Sequence, residues 1–180
     1  SAPASTKSSD GLGPLYNARS CQRCHLKDGR GAAPDGLQAE SGSVALLLRL
    51  SIPPQNADDH ASLKSGTAPS IPDPVYGGQL QNFATPGQSA EATVTVTYEE
   101  TPVPLPDGTI VSLRKPVITL TGPGYGPFRE DLIISPRIAS PMIGLGMLEA
   151  LSEEDILSWA DPDDRDGDGI SGRGNRIRSK

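Results

Sequence analysis

Polar and apolar positions alternate most strictly along Thr93–Tyr98, where Val94, Val96 and Tyr98 share one face and threonines the other. A period of two is the mark of a half-buried strand. Pro106-Asp107-Gly108 then reads as a turn and Thr109 to Leu120 as the returning strand, giving a β-hairpin insertion over residues 92–121. Val44 to Ile52 is a more continuous apolar run, stopped by Pro53 and Pro54. Its length suits a buried strand, although periodicity alone leaves a short helix open. Pro14 to Leu26 has no internal glycine or proline and predicts a helix within residues 13–27. A second helical stretch is expected within 137–161. There Ser152 stands at a cap position, Glu153, Glu154 and Asp155 load the positive end, and Asp161-Pro162 stops the helix. Residues 53–86, rich in proline and small polar side chains, read as loop. His60, beside Asp58 and Asp59 in that stretch, reads as a solvated side chain.

The first of these helices carries Cys21-Gln22-Arg23-Cys24-His25, which hold the only two cysteines of the chain. Cys-x-x-Cys-His is the attachment signature of a c-type haem. Thiols three residues apart share one face of a helical turn and can reach the two vinyl groups of the porphyrin. The adjacent His25 can supply an axial imidazole to the iron. Two other chemistries use paired cysteines. A redox dithiol or disulfide normally opens the helix of a βαβ unit, and none surrounds this pair. Zinc needs four ligands, and Cys21, Cys24, His25 and His60 are the whole supply of Cys and His. Covalent haem attachment takes place outside the cytoplasmic membrane, so the motif implies export, most simply to a periplasm. Residues 1–12 then read as a flexible mature N-terminus and residues 13–180 as one haem domain.

Composition agrees with a core completed by a macrocycle. Only 4% of residues are aromatic, while 18 are proline and 20 glycine, which predicts short elements and long ordered loops. A net charge of −6 argues against nucleic acid as a partner. No apolar run approaches the length that spans a bilayer.

The sixth position on an iron held by His25 decides between a sealed electron carrier and a reactive haem. Met142 follows Pro141 in an irregular segment and is the preferred distal ligand; Met147 reads as core packing. Arg30, Arg114 and Arg137 are candidate partners of haem propionates. A second metal signal lies in the acidic loop 161–175. Asp164, Asp166, Asp168 and Gly169 match the opening of a calcium loop, but Asn175 stands where the closing glutamate belongs. The loop therefore reads either as a shortened calcium site or as a solvated turn neutralised by Arg165, Arg173 and the basic tail.

Several stretches together carry a family likeness. Pro14 to Gly31, Tyr76 to Gln81, Met142 to Ala150 and Asp166 to Arg173 resemble, in order, segments of the di-haem oxidoreductases often labelled "thiol oxidoreductase". That family is distantly related to bacterial di-haem cytochrome c peroxidases and MauG-like proteins. The resemblance implies a periplasmic, mainly α, cytochrome c-like haem domain with a β-hairpin insertion and long Pro/Gly-rich loops. It also implies electron transfer with a redox partner protein or with a C-terminal haem domain. A second Cys-x-x-Cys-His, expected in that family, is absent from these 180 residues. Two alternatives accompany this reading. One is a peroxidase-like haem with an open distal site. The other is a calcium-stabilised binding module without haem, in which Cys21 and Cys24 form a disulfide.

Overall fold

A computed structural model describes residues 13–34 and 45–176. The chain divides into two compact units, one of Ser1–Ile52 with Pro72–Pro141, the other of Pro53–Ile71 with Met142–Lys180.

The first unit is built on three antiparallel two-stranded sheets. Strand β1 (Leu15–Tyr16) leads into α1 (Cys21–Cys24) and a single 3₁₀ turn, Leu26–Asp28. Strand β2 (Leu46–Ser51) follows, then β3 (Phe83–Ala84), β4 (Thr93–Pro104), β5 (Ile110–Thr121) and β6 (Ile133–Ile138). β1 pairs with β3, β2 with β6, and β4 with β5. The apolar run is thus a strand over Leu46–Ser51. Leu46, Leu48 and Leu50 bury one face while Arg49 points to solvent. Val94 and Val96 of β4 join them with Tyr76, Leu80 and Ala92 in the main core, over which Ile118, Phe128, Ile134 and Ile138 pack. The hairpin expected at 92–121 is present as β4 and β5, in register from Thr93↔Thr121 to Pro104↔Ile110.

The expectation of a mainly α domain is overturned. Among the described residues, strand accounts for 31% and helix for 17%. The chief cause is visible at Pro14–Leu26. Leu15 and Tyr16 pair with Ala84 and Phe83, and the Tyr16 and Phe83 rings stack at 5.9 Å. The helical part is the four residues of α1. An isolated turn or two of helix is marginal in water, so a distant strand partner readily outcompetes it. The Asn17 side chain fastens this junction. Its Nδ2 donates to Leu80 O (2.6 Å) and Asn82 Oδ1 (2.9 Å), and its Oδ1 accepts from Gln79 Nε2 (2.5 Å). Because Asn17 is buried, those bonds fix where α1 begins.

The second unit holds α2 (Ala57–Lys64), α3 (Leu145–Glu149) and α4 (Glu153–Ser158). Helix α2 corrects the loop reading of 53–86. Its N-terminus is capped by Asn56, whose side chain accepts from Asp59 N at 2.9 Å. The prolines of that stretch flank α2 and leave its interior free. The α4 cap is as expected, with Ser152 Oγ accepting from Asp155 N at 3.0 Å. Residues 137 and 138, assigned from sequence to a helical stretch, belong to β6. Among the described residues, no helix is long and apolar enough to cross a membrane.

Candidate haem-attachment site

Helix α1 places Cys21 and Cys24 one turn apart, with Cys21 exposed, Cys24 buried, and neither in a disulfide. Cys24 packs against Ala45 and Ala139, with Ala18 beside them. Burial pushes its thiol pKa up, the neighbouring Cys21 adds to the shift, and the Arg23 guanidinium partly opposes it. A redox dithiol and a zinc ligand both require a stabilised thiolate. The upward shift disfavours that thiolate in the metal-free chain, whereas a thiol that adds across a vinyl group ends as an uncharged thioether.

His25 ends the helix. Its N–H donates to Cys21 O at 2.9 Å, and its backbone leaves the helical region at φ −115°, ψ 66°. The imidazole Nδ1 lies 2.8 Å from the carbonyl oxygen of Ser140. A carbonyl only accepts, so Nδ1 must carry the proton and donate. In the neutral ring Nε2 then keeps its lone pair, which is the form in which a histidine binds iron. The same bond fixes the ring orientation.

The Ser140 carbonyl is held in place by main chain. Lys27 and Asp28 adopt left-handed conformations, φ 53° and 57°, and fold the segment after the motif back on itself. Gly31 N then donates to Ala139 O (2.8 Å), and Ala139 N to Ala45 O (3.0 Å). Gly31 sits where a Cβ would collide with the Ala45 side chain and stand 3.0 Å from Cys24 O and 3.1 Å from the Ala139 Cβ. Sequence reasoning missed Gly31, Ser140 and Asn17. The chemistry of Ser140 resides in a main-chain carbonyl, which leaves no residue-type signal. A direct prediction follows. Ser140→Ala should leave the haem spectrum unchanged and shift unfolding free energy by no more than about 0.5 kcal/mol. A clear spectral change would assign the role to the hydroxyl.

Met142 and Met147 belong to the second unit and are 41% and 79% exposed, so Met147 is no core residue. His60 is an exposed residue of α2. Arg114 lies over the Tyr98 ring at 4.7 Å, and Arg137 Nε donates to Ser135 Oγ at 3.2 Å. Arg30 is exposed.

In the acidic loop, Asp164, Asp166 and Asp168 each offer an oxygen such that all three lie within 4.8 Å of one another. Arg165 is 3.5 Å from Asp163, and Arg173 donates to the Pro162 carbonyl. Neither forms an ion pair with the three converging carboxylates. Asp161 accepts from Arg165 N at 2.7 Å through Oδ2, while its Oδ1 is buried without a partner among the described residues.

Two thiols one turn apart and outside any disulfide, with an imidazole oriented through Nδ1, are the donor set that a covalently held haem would use, and their chemistry fits that group. The site's chemistry is therefore that of a candidate haem-binding domain. The family model described as "Di-haem oxidoreductase, putative peroxidase" matches residues 1–179, and the chain belongs to that family. The family's chemistry is haem-based oxidoreduction. No curated relative and no solved structure matches the chain significantly.

Proposed function

We propose that the chain is a periplasmic electron-transfer domain carrying one covalent haem c, and that it works with a second haem-bearing domain or a separate redox partner. The observation that carries this reading is the Nδ1 bond of His25 to Ser140 O beside two thiols one turn apart. A bound haem would supply a one-electron iron couple. Cys21 and Cys24 would tether it, and His25 would present Nε2 as the proximal ligand. The alanines around Cys24 exclude water from that side of the turn. The bond to the Ser140 carbonyl raises the basicity of the imidazole and holds its plane. The family's di-haem description, set beside a single Cys-x-x-Cys-His, supports a second haem domain as the electron partner.

The test is a visible absorption spectrum after expression with the cytochrome c maturation machinery. A c-type reduced spectrum, with haem that stays with the protein in acidified acetone, is expected. A chain without a Soret band would overturn the reading.

Met142 is proposed as the distal ligand on ligand chemistry alone, because a thioether raises the potential and seals the iron. Met142→Ala should abolish the oxidised-state band of iron–methionine bonding and convert the spectrum to high-spin type. If the wild type is already high-spin, Met142 is not the ligand. The peroxidase-like alternative, which the family description favours, would then predict a spectral change on adding peroxide.

For the acidic loop we propose a calcium ion on Asp164, Asp166 and Asp168. Three like charges converge there with no countercharge among the described residues. Millimolar calcium is expected to raise Tm by about 3 °C or more over EDTA. Asp166→Asn with Asp168→Asn should remove the increment. Equal Tm values in calcium and EDTA would exclude the site.

A further inference from the structure

The segment around the motif has a charge opposite to that of the chain. Residues 13–34 hold Arg19, Arg23, Lys27 and Arg30 against a single acid, Asp28, in a protein of net charge −6. All four basic side chains are exposed, and none forms an ion pair with another described residue. They flank Cys21, the exposed thiol, in sequence on both sides. On one side Arg19 and Arg23 line a cleft of about 460 Å³ with Tyr16, Asn17, Ser20 and Phe83, and the lining contains no carboxylate. Lys27 and Arg30 belong to the turn that follows His25.

We propose that this basic collar around Cys21 is the docking surface for an electron-transfer protein that presents acidic side chains. The proposal rests on the haem reading above and deepens it by naming the face and the charge of the partner. Cys21 is the exposed one of the two candidate tethering residues, so a haem held there would be reached by a partner from the Cys21 side of the turn. Electron transfer falls steeply with distance, so a partner gains by docking at such an edge. Positive charges gathered there, with no ion-pair partner among the described residues, would steer an acidic surface to it against the repulsion of the remaining chain. A small anion held only in the cleft would need Arg19 and Arg23 alone. The presence of Lys27 and Arg30 beyond the cleft favours a protein surface.

Two measurements on the haem-loaded full chain test this. The first is binding of hexacyanochromate(III), a paramagnetic and redox-inert trianion, followed by broadening of backbone amide signals against diamagnetic hexacyanocobaltate(III). Broadening should concentrate on residues 19–30. The second is oxidation of the reduced protein by hexacyanoferrate(III), in which one electron leaves ferrous haem and the reagent becomes hexacyanoferrate(II). Local charge and net charge predict opposite salt effects. The collar requires the rate to fall, by about threefold or more between about 10 mM and 500 mM ionic strength. Arg19→Gln with Arg23→Gln, and separately Lys27→Gln with Arg30→Gln, should each remove part of that fall.

A rate that rises with salt, or broadening centred elsewhere, would overturn the docking surface and leave the haem assignment standing. Loss of the effect only in the Arg19 and Arg23 pair would overturn it in favour of a small-anion cleft. A chain without a Soret band would fail the haem assignment itself and the docking surface with it.

Discussion

Replacing both Cys21 and Cys24 by serine is expected to abolish covalent haem attachment, so that any remaining haem is extracted by acidified acetone. The two single variants should differ, because the two positions differ in burial. Cys21 is exposed, so Cys21→Ser removes one thioether and leaves the turn intact. Haem should then stay with the protein through Cys24, and the reduced pyridine haemochrome band should move to longer wavelength as one vinyl group is restored. Cys24 is buried against Ala45 and Ala139. Cys24→Ser therefore also places a hydroxyl in an apolar niche, at a cost of roughly 1–3 kcal/mol. It should lower holoprotein yield further than Cys21→Ser does. Equal yield and spectra for the two variants would contradict the burial argument, and full retention of haem by the double variant would remove the thioethers from the account.

The candidate attachment turn is readable from sequence because its spacing is local. Cys21, Cys24 and His25 depend on one another only through a single turn, and that spacing is written in consecutive residues. The β4–β5 hairpin was legible for the same reason, since strict alternation and an Asp-Gly turn are short-range signals. The Ser152 cap is likewise decided within four residues. What failed was decided at long range. A stretch lacking glycine and proline permits a helix without demanding one, and Leu15 and Tyr16 found strand partners at Phe83 and Ala84. Helix α2 was hidden by the prolines around it, which drew attention away from the Asn56 cap. The groups that position His25 were the least visible of all. They are the carbonyl of Ser140 and the peptide groups of Gly31, Ala139 and Ala45, and every residue type supplies the same main-chain atoms.

Gly31 is the residue at which this hidden layer can be tested. Its backbone approaches Ala45, Ala139 and the Cys24 carbonyl so closely that a methyl group has no room. Gly31→Ala is therefore a packing change, and relief requires β2 or the segment at Ala139 to move away. Overpacking of this kind costs roughly 1–3 kcal/mol. The movement also has a specific consequence. Gly31 N bonds to Ala139 O, and the next carbonyl along the chain, that of Ser140, is the acceptor for His25 Nδ1. Displacing Ala139 should lengthen that bond, make the imidazole a weaker donor to iron, and raise the reduction potential. Gly31→Ala should thus show a lower denaturation midpoint together with a shifted potential, while Ser140→Ala shows neither. If Gly31→Ala lowers stability with no change in potential, the turn supports the fold and the His25 bond does not depend on it.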